Sequence, residues 1–491
     1  MLSTLKRIKR GFDTKYALTG GIATIALSKF WFLLTGYAMF FGLSRFLTTE
    51  QFGIYGVVFG VFYLPALMIL NSTQTAVSKF VSESPDKADA IKRDALRLEL
   101  VVGLLSVGVF CALSGPLARA LKDPLLAPYF RLSSPILLFF ACLAVFLGYL
   151  NGLKKFSSQA SIEMAHAGLK ISLVLVFAAL TGLVGPIILG FVASHFIALL
   201  CVVVIMGLSS GSPSFGRLKI LKFQAWIALF VIIVQLYQTL DLLLVKALSA
   251  VEEADRLAGL YKSAQTIAFV PYVFITTIHV VVFPMISEST AVKVTDATRR
   301  TIRTSSRVAF CLLTLASVLI AANPAETIRI LYPEPFGDAG PVLAVLVFGM
   351  MFFTLLFLAA MYVSGSGRAR LSAIMASTVL VLDGVLCFWL IGKYGMMGAA
   401  WGTSLAMLGG YLLFGAYCRW RFKAFLPLRS LVLNVIGGGA VYFLARLVPG
   451  HGWTLILEDV ALGVVFLIVM RWLGELKMNE HHHKPPIADR D

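Results

Sequence analysis

Charged residues are scarce in this chain of 491 residues. They make up 14% of the sequence, against 59% hydrophobic residues, and the mean hydropathy is +0.87. A soluble globular protein has about 25% charged and about 45–50% apolar residues. The shortage of charge excludes a set of water-soluble domains, and the same composition excludes disorder, collagen and small disulfide scaffolds. We therefore expect a polytopic membrane protein.

Common enzyme motifs are missing as well. The sequence has no GxxxxGK[ST] phosphate loop, no HExxH and no CxxC pair. The six cysteines lie in or beside apolar runs and are interpreted as small buried hydrophobes. We therefore expect a protein that is not an enzyme, with no catalytic residues, no metal and no cofactor.

The net charge of +17 has an explanation that does not involve nucleic acid. Cytoplasmic loops of membrane proteins collect lysine and arginine. We therefore expect membrane lipids, and no nucleic acid, among the partners.

Apolar runs long enough to cross a bilayer recur along the whole chain. A spanning helix needs about 20 mainly apolar residues. The sequence predicts an all-α fold with fourteen such helices: Leu18–Leu43, Gly53–Lys79, Leu98–Leu117, Leu132–Leu150, Ala165–Leu183, Gly185–Leu208, Ala225–Leu244, Gly259–Ser287, Thr304–Ala322, Gly340–Tyr362, Ala373–Ile391, Met397–Cys418, Leu431–Val448 and Trp453–Leu473. The connecting loops are short, and Asn323–Asp338 is expected to be at most a capped turn.

Loop charges predict the orientation. With both termini cytoplasmic, inside segments carry 30 Lys and Arg residues and outside segments carry nine. Such a bias marks the cytoplasmic side. The remaining three of the 42, Lys29, Lys79 and Lys262, lie inside predicted helices.

An internal repeat predicts the domain organisation. Gly53-x-Tyr55, followed by Pro65, is matched 206 residues later by Gly259-x-Tyr261, followed by Pro271. We interpret this as two six-helix lobes related by a pseudo-two-fold axis along the membrane normal, a plan that recurs in transporters. The predicted parts are an N-lobe (1–208), a cytoplasmic linker (209–222), a C-lobe (223–420), a C-terminal helix pair (421–475) and a cytoplasmic tail (476–491).

Cations at membrane depth are the first candidate site residues. A charge there costs about 2.5–3.5 kcal/mol on insertion scales, so it usually faces a wet cavity or a partner. Lys29 lies near the middle of the first predicted helix and Lys262 lies early in the eighth. Arg45 lies at the outer mouth, and Lys79 lies at the cytoplasmic end of the second helix, where snorkelling explains it equally well. Such a cationic chamber favours a phosphate-bearing substrate.

Acids, histidines and glutamines complete the candidate set. Asp241, Asp383 and His279 are candidates for binding a coupling proton or sodium ion, or for pairing with the lysines. A further histidine, His195, also lies at membrane depth. Gln74, Gln235, Gln238 and Gln265 suit a polar lumen that recognises hydroxyl groups, or hydrogen bonds between helices.

Three segments resemble a known family. They are LSRFLTTEQFGIYG (Leu43–Gly56), GLYKSAQTIAFVPYVF (Gly259–Phe274) with FPMISE (Phe283–Glu288), and GKYGMMGAAWGTSLA (Gly392–Ala406). With fourteen spans, the chain resembles the O-antigen and exopolysaccharide flippases of the multidrug/oligosaccharidyl-lipid/polysaccharide exporter superfamily.

This resemblance implies alternating access between two lobes in the cell inner membrane. It implies transfer of undecaprenyl-pyrophosphate-linked oligosaccharides to the outer leaflet for surface polysaccharide, with polysaccharide assembly proteins as possible partners. It also implies that cations of the first and eighth helices line the lumen, and this chain has Lys29 and Lys262 there where arginine is frequent. Three alternatives stay open: a multidrug/cation antiporter of the superfamily, a lipid II flippase, and a membrane glycan ligase or polymerase.

Overall fold

The computed structural model describes residues 27–28, 30–208, 215–273, 286, 296–447 and 450–476. These residues are mostly helical and contain no strand, which confirms the predicted all-α fold. Residues 30–46 form α1. The helices that follow are α2 (Thr49–Glu83), α3 (Ala88–Ala120), α4 (Leu126–Ser133), α5 (Pro135–Gly152), α6 (Phe156–Thr181), α7 (Val184–Met206), α8 (Arg217–Tyr237), α9 (Leu240–Leu248), α10 (Ala254–Ala268), α11 (Asp296–Ala322), α12 (Pro324–Leu331), α13 (Gly340–Val363), α14 (Ala369–Phe422), α15 (Leu428–Leu447) and α16 (Trp453–Trp472).

The helices account for twelve of the fourteen predicted spans. Within the described ranges, ten helical runs are long and apolar enough to cross a membrane. One run, Glu334–Phe422, contains three predicted spans because it continues through a π-helical turn at Ser364–Arg368 and a break at Gly395. Gly395 has φ 56°, which only glycine adopts without cost. The first and eighth predicted spans extend beyond the described residues.

Local sequence signals set several helix boundaries. At the start of α2, Gln51 N–H donates to Thr48 Oγ1 at 3.3 Å and Thr48 N–H donates to Gln51 Oε1 at 3.2 Å, which forms a capping box. At the end of α6, Gly182 has φ 62° and its N–H donates to Ala178 O, as a left-handed C-cap does. Pro135 occupies the first turn of α5, where its missing N–H has no helical acceptor.

One predicted helix boundary and one predicted turn are wrong. The seventh span, predicted as Ala225–Leu244, ends at Tyr237, and a separate short helix, α9, begins at Leu240. Thr239, with φ −137°, breaks the helix between them. Segment Asn323–Asp338 is more than a capped turn, because Pro324 starts α12 and a 3₁₀ helix follows at Glu334–Ala339.

The chain divides into two compact units, and the predicted lobe boundaries stay a prediction. Unit 1 comprises Met1–Thr266, Leu331–Ala339 and Gly384–Ala399. Its core lies where α2 packs on α5 and α8, and includes Val77, Phe80, Ile91, Leu143 and Phe146.

Unit 2 comprises Ile267–Ile330, Gly340–Asp383 and Ala400–Asp491. In it, α11 packs against α13, α15 and α16. One core cluster includes Cys311, Leu315, Val318, Val441 and Phe466. The C-terminal pair α15 and α16 therefore packs on the helices of this unit.

Candidate functional site

A hydrogen-bonded chain links Lys262 to Asp241 inside unit 1. The Lys262 ammonium donates to Gln265 Oε1 at 3.0 Å, one turn further along α10. Gln265 Nε2 donates to the two carboxylate oxygens of Asp241, at 3.0 and 3.3 Å, and to the backbone oxygen of Gln238 at 3.2 Å. Three predicted site residues are therefore brought together, with a neutral amide between the cation and the acid.

Neutral donors surround the Asp241 carboxylate. The Tyr261 hydroxyl donates to Oδ2 at 2.7 Å, and the Leu242 N–H donates to Oδ1 at 2.8 Å. Asp241 is buried, and a buried carboxylate needs such partners because it has lost its hydration. The break before α9 serves this purpose, since it places the Leu242 amide beside the Asp241 side chain.

The Lys262 side chain is held by apolar contacts along its stem. A methyl group built on Gly56 of α2 would lie 3.0 Å from Lys262 Cγ, so the aliphatic stem packs on a glycine. The ammonium lies 5.4 Å from the ring centroid of Phe40 in α1, within the range of a cation–π contact.

The Lys262 ammonium keeps part of its hydrogen-bonding capacity. Among the residues that the structure describes, Gln265 alone accepts a hydrogen bond from it. An ammonium has three donors, so two hydrogens are available to water or to a ligand. Gln265 separates the Lys262 ammonium from the Asp241 carboxylate, although the two charges still attract each other. The half-buried ammonium keeps two donors with which it can bind an anion.

Two predicted cations lie apart from this chain of hydrogen bonds, and one predicted acid belongs to the other unit. Arg45 is exposed at the end of α1. Lys79 lies 3.7 Å from Glu83 and 4.0 Å above the ring of Phe223, an arrangement typical of snorkelling. Asp383 is buried in α14 and belongs to unit 2.

The other predicted glutamines are half-buried, and the last two predicted residues fall outside the described residues. Gln74 on α2 and Gln235 on α8 are half-buried. Gln238 is also half-buried, and its backbone oxygen accepts the hydrogen bond from Gln265. Lys29 and His279 lie outside the described residues.

Unit 1 also contains a polar network that was not predicted from the sequence. Asn151 accepts from Ser78 at 2.7 Å and donates to Gln159 at 2.9 Å, and Gln159 donates to Glu163 at 2.9 Å. Ser28 of the first predicted helix donates to the other Glu163 oxygen at 3.3 Å. The predicted fifth helix began at Ala165, so Glu163 was placed outside it, whereas α6 begins at Phe156.

Glu99 and His166 are two ionisable groups at membrane depth that were not predicted from the sequence. Glu99 is fully buried beside Thr73 and Gln224, although it lies within the predicted span Leu98–Leu117. His166 and His195 pack ring against ring, with centroids 4.4 Å apart. Nδ1 of His195 lies 2.7 Å from Phe191 O, which fits a histidine that serves packing.

These observations define a class of protein: a multi-pass α-helical membrane protein with the fold of known transporters. The chain is similar to a solved structure titled lipid II flippase MurJ, inward closed conformation, with 16% identity, a TM-score of 0.75, and coverage of 91% of this chain and 99% of that one. It is also similar to an inward-facing multidrug resistance MATE family transporter of the MOP superfamily, with 16% identity, a TM-score of 0.70, and coverage of 79% and 94%. A MOP superfamily transporter from Pyrococcus furiosus has 17% identity, a TM-score of 0.60, and coverage of 82% and 95%.

The family follows from the sequence itself. The family described as polysaccharide biosynthesis protein matches residues 43–341, more than half of the chain. The chain therefore belongs to the polysaccharide biosynthesis protein family, as the resemblance implied. A search of curated proteins found no match.

Proposed function

We propose that this protein is a flippase that moves undecaprenyl-pyrophosphate-linked oligosaccharides from the cytoplasmic to the outer leaflet by alternating access. The proposal places it in the cell inner membrane with cytoplasmic termini, in the biosynthesis of surface polysaccharide. Polysaccharide assembly proteins would supply or receive the glycan. The protein itself would perform no covalent chemistry.

The half-buried ammonium of Lys262 carries the proposal. A pyrophosphate bears two or more negative charges and is bound well by lysine as a point charge. Family membership associates the chain with polysaccharide, and the fold is that of flippases and transporters. A cation that has two unused donors is what a phosphate-bearing head requires.

We assign the other candidate residues roles within the same proposal. Lys29, Arg45 and Lys79 would add positive charge along the path of the head group. Gln74, Gln235 and Gln238 would offer amide groups to sugar hydroxyls, and Gln265 would hold the Lys262 ammonium in place. Asp241, Asp383 and His279 would bind a coupling proton or sodium ion.

Transport by the reconstituted protein tests the proposal. Proteoliposomes would receive a fluorescent undecaprenyl-pyrophosphate oligosaccharide, and its transfer between leaflets would be followed by quenching from outside. We expect Lys262→Gln to lower the rate at least tenfold and Lys262→Arg to retain most of it, because the charge is kept. Lys393→Gln is the matched control, since Lys393 is exposed. Equal rates for wild type and Lys262→Gln would contradict the proposal.

A multidrug/cation antiporter is the second candidate, because the fold is also similar to MATE transporters. That function predicts that expression raises resistance to cationic dyes and that Asp241→Asn removes this resistance. A lipid II flippase would transport lipid II in the same proteoliposomes in preference to the oligosaccharide. A membrane glycan ligase or polymerase would transfer sugar in vitro without any vesicle.

A further inference from the structure

Unit 2 contains a cavity of about 690 Å³ between α11, α13, the end of α14 and α15. This volume lies within the range of about 300–1,000 Å³ that is typical of ligand sites. Its walls are almost entirely apolar and include Phe310, Phe348, Leu408, Leu431 and Tyr442. The cavity therefore suits a hydrocarbon chain.

Positive charge surrounds one end of this cavity. A neighbouring cavity of about 450 Å³ shares Arg419 with it and adds Arg303 and Lys423. A third, of about 430 Å³, shares Arg303 and is lined by three more arginines, Arg299, Arg300 and Arg307. The carboxylate in this lining is Asp296, which pairs with Arg299 at 2.9 Å. We call this set of six cations the basic mouth.

Backbone carbonyls orient the guanidinium groups of the basic mouth. Arg303 donates to Lys423 O and Arg299 donates to Phe422 O, each at 3.2 Å. One bond of this kind fixes a guanidinium plane and leaves its other N–H groups to an anion, since arginine has five donors. Planar forks of this type match phosphate oxygens in two-point contacts.

Two polar residues, Asn434 and Tyr411, line the apolar cavity beyond the basic mouth. Asn434 is fully buried and Tyr411 is 6% exposed. Within the described ranges, neither Asn434 Oδ1 nor the Tyr411 hydroxyl has a hydrogen-bond partner. Tyr411 lies eight residues before Arg419 on α14, or about 12 Å along the helix.

We propose that this cavity and the basic mouth form a binding site for an anionic glycerophospholipid of the surrounding bilayer. The phosphate binds Arg303, Arg419 and Lys423, and an acyl chain fills the apolar cavity. Basic pockets between helices on the cytoplasmic side are known to take such head groups, and the loop charges assign this end of unit 2 to that side.

The lipid chemistry follows from the combination of features. A free phosphate would need the basic mouth only and would leave the apolar cavity without a role. Competition by undecaprenyl pyrophosphate distinguishes a glycerophospholipid from a polyprenyl lipid. The site uses neither Lys262 nor any residue of unit 1, so the inference is independent of the proposed transport substrate.

Lipid retention by the full-length protein tests the charge requirement. The purified protein would be mixed with phosphatidylglycerol or phosphatidylcholine at equal concentration, and bound lipid would be counted by native mass spectrometry. We expect retention of phosphatidylglycerol, and at least a tenfold loss in Arg303→Gln/Arg419→Gln. Arg370→Gln/Arg421→Gln is the matched control. It removes the same charge, but from two exposed arginines that line none of the three cavities. We expect this control to retain the lipid.

A second pair of variants tests the apolar cavity without changing charge. Gly439 lines the cavity, and a Cβ atom built on it meets nothing within 4 Å. Gly439→Phe should therefore fill the space without a clash and lower phosphatidylglycerol retention at least tenfold. Gly108→Phe is the control, since Gly108 also has open space around it and lies on α3.

Three outcomes would overturn the proposal. Equal retention of phosphatidylcholine would show that the cavity holds any acyl chain. Displacement of the lipid by millimolar inorganic phosphate would indicate an anion site without a tail requirement. Competition by equimolar undecaprenyl pyrophosphate would assign the site to the transported lipid.

Discussion

Gly53 of α2 and Gly259 of α10 pack backbone against backbone. A methyl group built on Gly53 would lie 2.8 Å from the Gly259 nitrogen, and one built on Gly259 would lie 3.1 Å from the Gly53 nitrogen. The methyl group on Gly53 would also clash with the carbonyl oxygen of Asp255, and the one on Gly259 with that of Thr49. The two positions are the matched glycines of the Gly-x-Tyr repeat, so the repeat-related positions meet in a reciprocal contact.

Alanine at either glycine should destabilise the protein strongly. Because the clashing atoms are backbone, the helices must move apart, and we expect a cost of about 3 kcal/mol, the upper part of the range for overpacking. Thermal unfolding in detergent would measure it for Gly53→Ala and Gly259→Ala. Gly36→Ala is the control, because its Cβ meets nothing within 4 Å. Unfolding midpoints equal to that of the control would contradict the close packing.

Lys246 should be essential for stability rather than for transport. It is 2% exposed, and its ammonium contacts Asp123 at 2.8 Å and Asp255 at 2.5 Å. Lys246→Met leaves two carboxylates facing each other, and breaking a buried pair costs about 3–5 kcal/mol. The triple variant Lys246→Met/Asp123→Asn/Asp255→Asn should recover most of the lost stability in thermal unfolding. No recovery in the triple variant would mean that the lysine stem, not its charge, matters.

A glutamate at position 265 should block transport without removing Lys262. Gln265→Glu would place a carboxylate 3.0 Å from the ammonium and close to Asp241, so the cation would be neutralised by an internal partner. We expect at least a tenfold slower transfer of the lipid-linked oligosaccharide in proteoliposomes. Gln51→Glu is the matched control, because glutamate also serves in a capping box. Transfer at the wild-type rate in Gln265→Glu would argue against Lys262 as an anion site.

The Glu326 carboxylate should make stability depend on acid pH. A hydrogen bond from Arg329 at 2.7 Å lowers its pKa, and His451 lies 3.5 Å from its other oxygen. A glutamate has a pKa of about 4.3 in the unfolded chain, and the contact stabilises the fold at any pH above that value. This stability is lost as the pH falls through the lower pKa of the folded state. Because Glu326 is 23% exposed, we expect about 1 kcal/mol or less.

Unfolding midpoints between pH 6 and pH 3.5 would measure this dependence. Glu326→Gln should flatten the acid part of the curve, whereas Glu252→Gln, at an exposed position, should leave it unchanged. The same acid slope in wild type and Glu326→Gln would refute the assignment.

The lysines illustrate what could be predicted about the candidate site. Lys262 was predicted because a charge in a long apolar run is conspicuous, and it does lie in a polar network. The link from Lys262 through Gln265 to Asp241 was found only in the structure. Asp241 lies 21 residues before Lys262, on a helix that begins after a break at Thr239. Lys246 is one of the nine Lys and Arg residues counted in the outside segments, since one sequence does not show that Asp123 and Asp255 surround it.

The amino-acid sequence by itself determined the membrane class and most helices of this protein. Only helices and closed β-barrels satisfy every backbone polar group inside a bilayer, and unbroken apolar runs of about 20 residues fit the helix alone. The tertiary structure decided which polar groups meet: Lys262 with Gln265, Glu163 with Gln159, Gly53 with Gly259. Those contacts depend on the rotation and spacing of packed helices, which apolar periodicity does not specify when both faces of a helix are hydrophobic.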